Sequence, residues 1–164
     1  MRITVSLRNF ITTLPVIQQM VADGKIGKDS SMPEGYIFEG RPLYPVEKLN
    51  KSALLVISST SSWEPPLRER SLEYPRIELD IWASPTRDSD GGIEIPDADD
   101  LIDDIYKALK PYIHIVHRSK ANGAIFTWDG VHIVSSEVID GPEYRNVEEG
   151  NGARMARISI GVAV

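Results

Sequence analysis

The run Pro75-Arg76-Ile77-Glu78-Leu79-Asp80-Ile81-Trp82-Ala83 alternates strictly, and that period of two constrains the fold more than any other stretch of the chain. On an extended backbone Ile77, Leu79 and Ile81 share one face, while Arg76, Glu78, Asp80 and Trp82 share the other. A strand with one apolar side and one mixed side belongs in a sheet whose core lies on a single face. Trp82 admits two readings: an anchor for a subunit contact, or a side chain packed beneath a helix or loop of its own chain.

Around this strand the sequence predicts further elements. Leu7, Phe10, Ile11, Leu14, Ile17, Met20 and Val21 recur at helical spacing, predicting a helix over about 6–23, capped by Ser6 and stopped by Gly24. Pro15 predicts a kink in it, or two short helices. Residues 25–50 form an irregular, proline- and glycine-punctuated excursion with a short strand candidate at Tyr36-Ile37-Phe38-Glu39. The apolar run Ala53-Leu54-Leu55-Val56-Ile57-Ser58 predicts a central strand covered on both faces.

A loop over 84–92 precedes a helix opening at Pro96-Asp97. Its stripe is Ala98, Leu101, Ile102, Ile105, Ala108 and Leu109, and Pro111 is its expected stop. Ile113 to Val116 is a further short apolar stretch. Asp129-Gly130 between two short apolar runs predicts a hairpin. The last strand, 156–164, places Ile158, Ile160, Val162 and Val164 together, and the polar stretch from Asp140 to Gly152 reads as a long loop, mobile until a neighbouring chain orders it. The order of elements lacks regular β-α alternation. It predicts one α+β domain over 1–164: a mostly antiparallel sheet with two main helices on one face.

The 164 residues carry 18 Lys and Arg against 24 Asp and Glu, a net charge of -6 that disfavours general nucleic-acid binding. Cysteine is absent, which removes disulfides, thiol nucleophiles and cysteine-ligated metals. No signal-peptide run opens the sequence, and no stretch reaches the ~18 apolar residues of a membrane span, so the expectation is a cytoplasmic protein or a particle assembled there.

The search for chemistry returns no catalytic residues, no cofactor and no metal. Asp97, Asp99, Asp100, Asp103 and Asp104 read as a solvated helix face at the positive end of a dipole. Asp88-Ser89-Asp90-Gly91 lacks the first ligand of a calcium loop, since Thr86 stands there. His114, His117 and His132 have no metalloprotease signature around them, and Ser58, Ser59, Ser61 and Ser62 no nucleophile elbow. Gly24-Lys25-Ile26-Gly27-Lys28 lacks the spacing of a phosphate-binding loop. Arg68, Arg70, Arg76 and Arg87 are read as surface pairs or interface contacts.

In order, the Leu14-Pro15 helix break, the strand Ala53 to Ile57, the strand from Tyr74 to Ala83, the aspartate-rich helix ending Ala108-Leu109-Lys110 and the closing segment Arg154 to Ile160 resemble the tail terminator family of long-tailed bacteriophages. The long 25–50 excursion departs from the simpler family pattern. The resemblance implies a virion protein, assembled in the host cytoplasm, that forms a hexameric ring at the head-proximal end of the tail. Its implied partners are other copies of itself, the tail tube protein and a head-completion or connector protein, with DNA passing through the lumen without specific binding and no membrane involved. The candidate subunit interface is Arg76, Glu78, Asp80, Trp82, Tyr144 and Arg145. Other expectations kept open are another neck ring protein, a tube subunit, or a small enzyme whose site the sequence does not reveal.

Overall fold

The computed structural model describes residues 2–40, 49, 52–65, 69–84, 86–87, 93–115, 126–146 and 153–164. The N-terminal apolar stripe forms two helices, α1 (Ile3–Thr13) and α2 (Pro15–Ala22), because Leu14 adopts an extended conformation (ψ 125°) and Pro15 begins the second helix at its first position. Ser6 is not the cap. The helix begins at Ile3, one turn earlier, because Ile3, Leu7, Phe10 and Ile11 already pack on the core; Ser6 is buried inside it. Gly24, at φ +78°, ends α2 in the left-handed conformation as expected, with the Lys25 amide donating to the Met20 carbonyl at 2.9 Å.

The strands are β1 (Ile37–Glu39), β2 (Ala53–Ser62), β3 (Pro75–Ala83), β4 (Thr86–Arg87), β5 (Ile93–Glu94), β6 (Phe126–Trp128), β7 (Val131–Ile133), β8 (Ser135–Asn146) and β9 (Arg154–Ala163). The main sheet has the order β1-β2-β3-β9-β8, antiparallel throughout except for the parallel β1/β2 pair. The molecule is therefore α+β, with a mostly antiparallel sheet. A small β4/β5 ladder leads into α3 (Ile95–Ile113), and β6/β7 turn through Asp129 (φ 48°) and Gly130 (φ 80°), the double left-handed turn that the Asp-Gly pair predicts.

One sheet face carries the core. Leu55 and Ile57 of β2, Ile77, Leu79 and Ile81 of β3 and Ile158, Ile160 and Val162 of β9 meet Leu7, Ile11, Ile17, Ile102, Ile105 and Leu109 from the three helices. Trp128 and Ile133 of the hairpin join them, with Phe10 stacked on Trp128 and edge-on to Tyr112 and Phe126. The opposite face holds a smaller apolar group, Tyr36, Leu49, Leu54 and Val56, and no helical residue belongs to it among the described residues. Residues 53–57 are thus buried from both sides, as the unbroken apolar run requires. No described helix is long and apolar enough to cross a membrane.

Further boundaries differ from the sequence reading: β2 runs past Ser58 to Ser62, β4 forms inside the expected 84–92 loop, and β9 begins at Arg154. Pro111 does not stop α3, which continues to Ile113: the proline costs the last turn one amide bond, and the full burial of Ile113 outweighs that loss. Ile113 thus closes the helix rather than opening an extended segment; beyond it the Ile115 amide donates to the Ser136 carbonyl at 2.8 Å. The stretch from Asp140 is not a loop as far as Asn146. It is the second half of β8, hidden from a hydrophobicity pattern because an outer strand needs few apolar residues, and it accommodates Gly141-Pro142 in register breaks between Val138, Asp140 and Glu143. Residues 147–152, the rest of that expected loop, lie outside the described residues.

Candidate subunit interface

Cross-strand register assembles the face opposite the helices into rows. Leu54, Trp82, Met155 and Arg145 stand opposite one another across β2, β3, β9 and β8; Val56, Asp80, Arg157 and Glu143 form the next row; Ser58, Glu78, Ser159 and Asp140 the third; Arg76, Gly161 and Glu137 the fourth. Five of the six expected interface residues, Arg76, Glu78, Asp80, Trp82 and Arg145, therefore share one surface. Tyr144 does not. It opposes Ala156 on the helix side, where partial burial raises the pKa of its phenol and the carboxylates of Asp103 and Asp99 add to the shift.

The rows are tied by charge. Arg157 grips Asp80 through two parallel bonds of 2.9 Å, which raises the pKa of the guanidinium further and fixes both side chains in a planar fork. Arg76 donates to Glu78 at 3.1 Å and to the Ser159 hydroxyl at 3.1 Å, and that hydroxyl donates to the other Glu78 oxygen at 2.7 Å, closing a three-residue ring. Arg145 and Glu143 pair at 3.2 Å near the edge. The carboxylates lie beneath: the Glu78 and Asp80 side chains are 10% and 9% exposed, against 36% and 37% for Arg76 and Arg157.

Trp82 packs on the apolar group formed by Tyr36, Leu49, Leu54 and Val56, partly buried, so at least part of its indole serves its own chain. Trp63 covers the far end of the face. Its ring lies where any Cβ on Gly161 would have to be, and its Nε1 donates to the Val162 carbonyl at 3.1 Å.

Sequence reasoning missed Arg157, Ser159 and Glu143. The first two sit at alternate positions of β9, so the period of two that marks Ile158 and Ile160 as core also assigns them to the opposite face. Glu143 carried no signal, because β8 was not recognised as a strand.

The remaining candidates are dispersed. Asp99 pairs with Arg154 through bonds of 2.9 and 3.1 Å, and Asp103 pairs with Lys107 at 2.8 Å. Among the described residues no set of three His, Asp or Glu side chains is placed to hold a metal. His114 accepts a bond from the Val138 amide through Nδ1, and His132 is exposed on β7. Arg70 is exposed, while the Asp88–Asp90 run, Arg68 and His117 lie outside the described residues. An open cleft of about 490 Å³ separates the start of α1 from the ends of β2 and β3, lined by Arg2, Thr4, Ser59, Thr60, Ser62 and Glu73 among others. No protein-family model matches the chain, and no curated protein is significantly similar to it.

Proposed function

We propose that this chain is a structural subunit of a phage tail terminator: it closes into a homo-oligomeric ring, six copies by the family resemblance, that caps the tail tube, halts its growth and receives the head. The observation that supports this reading most is the one-sided sheet. Helices cover one face, and the other presents an ordered array of ion pairs around a half-buried tryptophan, a composition suited to contact with another protein surface. Because Arg76, Arg157 and Arg145 are already paired with Glu78, Asp80 and Glu143 within the subunit, a neighbour can cover these pairs without stranding an uncompensated charge. The outer strand β8 favours contact through the face over contact through the edge, since its register breaks, Pro142 and charged Glu143 and Arg145 blunt strand addition.

On this reading the subunit does no catalysis, the protein resides at the head-proximal end of the tail, and its partners are the tube protein and a connector or head-completion protein. An acidic ring lets DNA pass without the counterion release that drives sticking. The test is assembly of phage lacking the protein. Tails of uncontrolled length that do not join heads are expected. Tails of normal length, or location of the protein between capsid and connector, would exclude a terminator and favour another ring protein of the neck.

A further inference from the structure

We draw no further inference here: the strongest candidate, the open cleft between the uncapped start of α1 and the ends of β2 and β3, offers a ligand only a helix N-terminus, Arg2 and exposed hydroxyls, since its buried polar side chains, Thr4 and Tyr74, are already bonded to Glu39 and to the Glu69 amide.

Discussion

Arg157 and Asp80 show how a residue can serve the subunit and its surface at once. Their two bonds of 2.9 Å join β9 to β3, and the guanidinium that satisfies the buried carboxylate is also what the face turns outward. Arg157→Ala leaves Asp80 buried and without its fork, so a loss of about 2 kcal/mol is expected in denaturant unfolding. Arg157→Lys should recover only part, since an ammonium cannot reproduce the planar pairing. At the far end of the face Gly161 leaves space for Trp63, and Gly161→Val should eject the indole, read as a red shift of tryptophan emission with about 1–3 kcal/mol of destabilisation. Asp29 tests the acid limb. Its Oδ1 accepts from the Ser31 hydroxyl at 2.6 Å and from the Ser31 and Met32 amides at 2.8 and 2.9 Å, bonds that hold its pKa below the ordinary 3.8. A depressed carboxyl contributes order above its ordinary pKa and loses it as pH falls through the folded value. The Ser31 and Met32 amide resonances should therefore shift with a midpoint below 3.8; a midpoint at or above 3.8 would contradict the bonding.

Elements were legible where one face is apolar and the other is not. Strand β3 and the apolar side of β9 follow from alternation, and α3 follows from its stripe, because burial on one side imposes a period that survives in the residue list. Strand β8 was illegible for the converse reason. Its second half is largely exposed at the margin of the sheet, so nothing imposes alternation from Asp140 to Arg145, and glycine beside proline reads as a loop until pairing with β9 is seen. The start of α1 was misplaced because Arg2 precedes the helix without a side-chain cap, while Ser6 mimics one from inside. The end of α3 was misplaced because burial of Ile113 outweighs the proline two residues before it. Two substitutions test these accounts. Gly130→Val forces a branched side chain to φ +80°, and thermal unfolding should show about 1–2 kcal/mol lost. Pro111→Ala restores an amide donor to the last turn of α3 and should leave stability unchanged or raise it by about 1 kcal/mol.

On the scale of the whole molecule, the described residues place three helices and a hairpin on one side of a five-stranded sheet, and ion pairs and a small apolar group on the other. Most of the candidate interface was legible from β3 alone, because one alternating strand assigns four residues to a face at once. Tyr144 was grouped with it only because a strand was taken for a loop, and register puts its side chain beside α3 instead. The proposed ring rests on this two-sidedness of the subunit. Native mass spectrometry of the purified 164-residue chain tests that most directly. A single closed species is predicted, six times the 18.3 kDa subunit, with no ladder of larger sizes as concentration rises. A monomer at every concentration, or a dimer as the limiting species, would contradict it.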